Sequence, residues 1–141
     1  MSNKKILIAF VHATNQRDWD TFDTLVSDQV VRHSSTAGQP SVQTKEQLKQ
    51  FHKDEGKTFP DIREKIKFMI CEDDMVAARI TFKGTQLGPM GPYPPSGKKF
   101  EADFNCFFRV TDNKISEIWV EYDNLNGLIQ LGHYKPPIKF K

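Results

Sequence analysis

The run Phe108-Arg109-Val110-Thr111-Asp112-Asn113-Lys114-Ile115-Ser116-Glu117-Ile118-Trp119 sets β-branched and aromatic residues on both sides of Asp112-Asn113. That dipeptide tolerates positive φ, so the run reads as two antiparallel strands closed by a tight turn. Extended outward, the two strands cover 100–110 and 115–122. Upstream, 65–71 and 75–85 are rich in Ile, Val, Phe and Thr and are parted by the polar turn Glu72-Asp73-Asp74. The second half of the chain is therefore a meander of long strands.

The first half has a different period. Over 3–16, Ile6, Leu7, Phe10, Val11 and Thr14 fall on one face at helical spacing. Asp18 can cap a second short helix carrying Trp19, Phe22, Leu25 and Val26. A short strand over 29–33 and a loop over 34–41 follow. Thr44-Lys45-Glu46-Gln47 has the form of a capping box and opens a third helix, with Leu48, Phe51 and Glu55 on one side and an end near Gly56. Pro60 then disfavours a helical Phe59 and turns the chain. From Asn124 a short closing helix runs through Gln130-Leu131-Gly132. Helices first and strands afterwards predict an α+β fold: a cone-shaped barrel in which a strongly curved, mainly antiparallel sheet wraps over three N-terminal helices. No repeat or linker divides the sequence, so 1–141 reads as one domain, with 133–141 as a tail on the surface or against a partner chain.

Composition excludes several classes of function. The formal charge of +2 comes from basic and acidic residues that are interspersed, which gives no footprint for nucleic acid. No apolar run approaches the roughly 20 residues that span a bilayer. The stretch Ile6-Leu7-Ile8-Ala9-Phe10 is interrupted by His12, Thr14 and Asn15 and has no small-x-small cleavage site after it. It is read as the first helix of a soluble, cytoplasmic protein. Cys71 and Cys106 lack CxxC spacing and lie in apolar stretches, so both are expected to be free buried thiols in a reducing compartment.

Five stretches, in order and in register, carry a resemblance. They are Phe59-Pro60-Asp61 after the third helix; the long strand Val76–Thr85; the loop Pro94-Pro95-Ser96-Gly97-Lys98; the hairpin Phe108–Trp119; and Asp123 through Gln130-Leu131-Gly132. Together they resemble the SnoaL-like polyketide cyclase (ester cyclase) family, within the wider group around nuclear transport factor 2. The resemblance implies an enclosed pocket and cofactor-free acid/base chemistry (cyclisation, isomerisation or dehydration) on a hydrophobic carbonyl-bearing metabolite, with no metal. Carried over position by position, the cyclases' aspartate falls on Val120 and their assisting histidine on Cys106. Valine moves no proton, so other groups must supply the chemistry, or the protein only binds an apolar ligand, or it is a dimeric interaction domain.

The proton carriers expected from the residues are His33, which titrates near neutrality, and the carboxylates of Asp123 and Glu121. His33 can equally be a hydrogen-bonded histidine at a strand end, and Asp123 a helix cap. Arg79, mid-strand, is either a substrate clamp or an ion-pair partner of Glu101 or Asp103. Glu55 and Asp61 flank the Phe59-Pro60 turn. Rings at Phe59, Phe104, Phe108 and Trp119, with Cys106, Val120 and Tyr122, are expected to line the binding cavity, although one sequence leaves the inward face of the last strand open. Phe51, Phe68, Phe82, Phe100 and Phe107 add more ring surface than a minimal core requires, which suits a flat ligand. The proline-rich loop Gly88–Gly97 reads as a semi-rigid lid or a dimer contact. The outer face of a long curved sheet needs cover, which points to a homodimer as well as a small hydrophobic molecule as partners.

Overall fold

The computed structural model describes residues 1–36 and 39–137. Its elements are α1 (Asn3–Gln16), α2 (Trp19–Leu25), β1 (Val26–Ser34), α3 (Lys45–Thr58), β2 (Arg63–Glu72), β3 (Met75–Thr85), β4 (Lys99–Thr111), β5 (Lys114–Glu121) and α4 (Asn124–Gln130). Among the described residues no helix is long and apolar enough to cross a membrane.

The helix starts are fixed by side chains that take up otherwise unpaired backbone N–H groups. Asp18 accepts from the Thr21 N–H at 3.1 Å and Thr44 from the Gln47 N–H at 3.1 Å. The return half of the expected capping box is displaced by one residue, because Gln47 Oε1 accepts from the Gln43 N–H rather than from Thr44. Two other boundaries differ from expectation. α3 runs to Thr58, since a turn forced at Phe59 does not require an earlier stop at Gly56. β1 begins at Val26, directly from α2.

The five strands lie in the order β1-β5-β4-β3-β2. The β2–β3, β3–β4 and β4–β5 pairs are antiparallel and β1 runs parallel to β5. Asp112 and Asn113 adopt φ of 52° and 61°, the positive pair that a tight β4–β5 turn needs. The sheet is curled but not closed, with β1 and β2 as its two margins. α1 and α2 fill its concave side, where Ile6, Leu7 and Phe22 are fully buried against Val76, Phe108 and Ile115. Truncating Leu7 to alanine would cost about 2–5 kcal/mol. A second apolar cluster of Phe59, Phe82, Phe100 and Leu131 lies apart from this core.

The two thiols differ. Cys106 is buried on β4, but Cys71 is exposed near the end of the marginal strand β2, so the expectation of two buried thiols holds for one. The expected tail is also packed at its start, where His133 meets Gln86; residues 138–141 lie outside the described part.

Candidate functional site

Two-residue alternation decides which side chains face the concave side. β3 turns Ile80 and Phe82 inward, β4 turns Phe104, Cys106 and Phe108, and β5 turns Ile118 and Val120. α3 crosses opposite them and presents Leu48, Phe51, His52 and Glu55, which share one helix face at spacings of three, four and seven. Between sheet and helix lies an inner chamber of about 50 Å³. It adjoins an outer cavity of about 490 Å³, and Phe51, Glu55, Phe82 and Phe104 line both.

The outer cavity has an aromatic wall. The Phe82 and Phe104 rings stack at 5.6 Å and 11°, and Phe104 and Tyr122 at 4.2 Å and 2°. Opposite this wall the loop after β3 contributes Met90, Pro92 and Tyr93. The loop is fastened at both ends. Leu87 and Gly88 donate their N–H groups to the Thr58 carbonyl at 3.0 and 3.1 Å. The fully buried Gln86 donates to the Gly88 and Pro94 carbonyls, and its Oε1 accepts from His133 Nε2 at 2.6 Å. A Cβ at Gly88 would collide with the Lys57 carbonyl, which explains glycine at this crossing.

The inner chamber is apolar except for one cluster. Arg32 on β1, His52 and Glu55 on α3, and Glu64 on β2 all line it. His52 Nδ1 lies 3.1 Å from Glu55 Oε1; because a carboxylate carries no proton, Nδ1–H is the donor. Phe10, Phe22 and Phe51 surround the imidazole edge-on. The Arg32 guanidinium sits 4.2 Å above the Phe51 ring and donates to Gln39 Oε1 at 2.8 Å. Glu64 is held from its backbone: Asn15 Nδ2 donates to its carbonyl and its N–H donates to Asn15 Oδ1, both at 2.8 Å.

The environment alters how these groups titrate. Burial and then the nearby Glu55 charge raise the Glu64 carboxyl to about 7, against the opposing pull of His52 and Arg32. Glu64 is half-buried and lines the chamber. Burial pushes the Cys106 thiol up to about 12, so it stays protonated and acts as an apolar wall. Burial also raises the Tyr122 phenol.

Of the residues expected from the sequence, the structure gathers Phe59, Phe104, Cys106, Phe108, Val120 and Tyr122 around the two spaces. It places five others away from them. His33 is on the outer sheet face, stacked on Trp119 at 5.2 Å and bonded to Glu117 Oε2 at 2.7 Å, because β1 turns Arg32 inward instead. Trp119 is outward because Ile118 and Val120 point in. Glu121 accepts from the Ser35 hydroxyl at 2.8 Å, and Asp123 caps α4 by accepting from the Asn126 N–H at 2.9 Å. Arg79 is outward too, pairing with Asp103 at 3.3 Å and donating to Asn105 at 2.7 Å. The chamber also holds Arg32, His52 and Glu64, which are not among the residues expected from the sequence. The helical spacing from Leu48 to Glu55 already put His52 on the inner face, whereas nothing local to Glu64 announced that α1 would cover it.

Comparison with known proteins settles the lineage. A model of the SnoaL-like polyketide cyclases matches residues 4–131. The chain belongs to that family. No curated protein matches its sequence at a significant level. Among solved structures, IdmH of Streptomyces antibioticus, assigned as a polyketide cyclase, is 25% identical with a TM-score of 0.80, over 94% of this chain and 99% of that one. AclR of Streptomyces galilaeus, assigned as a hydroxylase, is also 25% identical with a TM-score of 0.78, over 94% and 96%. TsrD of Streptomyces laurentii superposes with a TM-score of 0.83 at 23% identity, over 95% and 99%, and shows the fold alone. Two structural neighbours thus carry different reaction assignments on one architecture, so in this SnoaL-like protein the reaction must be argued from its own cavity.

Proposed function

We propose that this SnoaL-like protein is a cofactor-free acid/base enzyme that moves a proton on a flat, hydrophobic, carbonyl-bearing molecule held between the aromatic wall and α3. One observation carries the reading: a carboxyl group raised to about 7, Glu64, opens into a chamber whose other walls are mostly apolar. A carboxyl with that pKa is both carboxylate and acid near neutrality, which is the condition for efficient general acid/base work. In an isomerisation, the Glu64 carboxylate would take the proton from the carbon beside the carbonyl. The electron pair would pass into the conjugated system, and Glu64, now protonated, would return the proton at a second carbon. The His52–Glu55 pair would supply the other proton transfer that a dehydration or cyclisation requires.

Glu64 and His52 are preferred as proton carriers to His33, Glu121 and Asp123 because those three are engaged outside the cavity. The aromatic column and the cavity of about 490 Å³ suit a bicyclic or larger planar ligand. The test is α-proton exchange of a bicyclic ketone such as 2-tetralone in D₂O, followed by proton NMR. The wild-type protein accelerates exchange, Glu64→Gln loses about a hundredfold or more, and His33→Ala is unchanged. Exchange at the uncatalysed rate would leave an apolar binding protein as the reading.

The outer sheet face suggests a second copy of this chain as partner. Register aligns Ile70, Ala77, Phe107, Trp119 and His33 in one row across all five strands, with Ile70 64% and Phe107 50% exposed. Ion pairs of both signs flank the row, Arg109 with Asp74 and Glu117 on one side and Arg79 and Lys67 with Asp103 on the other. A row of this kind is self-complementary about a two-fold axis, as a homodimer requires.

A further inference from the structure

Arg32 presents a problem that the proton-transfer reading leaves open. Its side chain lines the inner chamber and its guanidinium lies over the Phe51 ring. Among the described residues, no carboxylate comes within 4 Å of it, and its one side-chain hydrogen bond goes to the neutral Gln39. Arg79, Arg109, Lys45, Lys49 and Lys67 each have an acidic partner, and Arg17 and Arg63, which donate only to backbone carbonyls, are exposed to water as Arg32 is not. Glu55 and Glu64 act on Arg32 only through space, Glu55 is already engaged by His52, and Glu64 holds its proton to about 7. A guanidinium has five N–H groups in a planar fork, and burial of that charge is costly unless an anion completes it.

We infer that the ligand enters with an anionic carboxylate at its buried end and that Arg32 receives it in the inner chamber. The inference rests on the reading of the cavity as the ligand site and narrows the ligand to planar carboxylic acids. The size of the space favours this group. A chamber of about 50 Å³ accepts a small planar substituent, while the ring system stays in the outer cavity beside Phe104 and Tyr122. The fork geometry favours it too, since a planar guanidinium offers paired N–H groups to the two oxygens of a carboxylate, whereas a phosphate dianion would need further donors. Phe51 fixes the plane of the fork, and Gln39 occupies one of its N–H groups, leaving the others for the ligand.

The test is calorimetric titration with matched pairs that differ only at the head group: 2-naphthoate against 2-naphthamide, and anthracene-2-carboxylate against its carboxamide. The acids should bind about tenfold or more tightly than the amides, as charge-assisted hydrogen bonds require. Arg32→Met should abolish the preference, and Arg32→Lys, which keeps the charge but loses the fork, should retain part of it. The wild-type comparison stands even where a variant does not fold. Amides binding as well as acids, or a preference that survives in Arg32→Met, would overturn the inference while leaving the cavity as the ligand site. Failure of all four compounds to bind would overturn both.

Discussion

His52 Nδ1 and Glu55 Oε1 meet at 3.1 Å one helical turn apart on α3, and this pair acts electrostatically on Glu64 across the chamber. The two members pull in opposite directions: the Glu55 charge raises the Glu64 carboxyl and His52 lowers it. Glu55→Gln should therefore bring Glu64 down from about 7 toward the ordinary carboxylate range, and His52→Phe should move it higher. Carbon-13 titration of the side-chain carboxyl reads both shifts. A Glu64 that titrates alike in both variants would show that the pair does not govern it.

The same carboxyl links stability to pH. A folded pKa of about 7 lies above the unfolded value of 4.5, so the stability that neutral Glu64 provides is complete below 4.5 and is lost as pH rises through about 7. Glu64→Gln, which stays neutral, removes that dependence. The variant should gain about 1–3 kcal/mol on the wild type between pH 4.5 and pH 7.5, discounted for water in the chamber. Urea unfolding at the two pH values measures it, and equal slopes for both proteins would contradict a carboxyl buried in this way.

Asn15 mimics a peptide group by bonding both the N–H and the C=O of Glu64, and so ties the end of α1 to the marginal strand β2. Asn15→Ala should cost about 1–3 kcal/mol. The loss should be accompanied by faster amide hydrogen exchange at Glu64 than at residues of β4. An undiminished stability would mean that water replaces both bonds without penalty.

Gly88 lies where the loop crosses the end of α3, and any side chain there meets backbone rather than a movable group. Gly88→Ala should destabilise the fold by about 1–3 kcal/mol and loosen the outer cavity, whereas Gly91→Ala, with open space around it, should be limited to its backbone cost at φ 55°. Thermal unfolding of the two variants distinguishes steric from conformational effects.

If the outer row pairs two chains, a charge at its centre separates them. Phe107→Glu should shift sedimentation from dimer to monomer without unfolding the protein, because Phe107 is half exposed and carries no part of the core. A wild-type protein that sediments as a monomer at micromolar concentration would remove the dimer from the account.

Most of the fold could be read from local rules. Asp112-Asn113 fixed the β4–β5 turn, Asp18 and Thr44 marked helix starts, and the order of helices and strands pointed to α+β. Contacts made across long stretches of sequence could not be read that way. β1 pairs in parallel with β5, more than 80 residues away, and that pairing decides that Arg32 rather than His33 faces inward. His33 looked like the better proton carrier because its chemistry suits neutral pH, yet its neighbours Glu117 and Trp119 come from the same distant strand. Glu64 was illegible for a related reason. A glutamate in a marginal strand is ordinarily solvated, and the distant contact with α1 through Asn15 leaves it half-buried at the chamber.

The most direct measurement is the pH–rate profile for α-proton exchange of 2-tetralone with wild type and Glu64→Gln. With Glu64 as the base, the wild-type rate should rise tenfold per pH unit below about 7 and level off above it, following the carboxyl's titration. The variant should show little exchange and no inflection there. The same inflection in Glu64→Gln, or no acceleration by the wild type at any pH, would contradict the account.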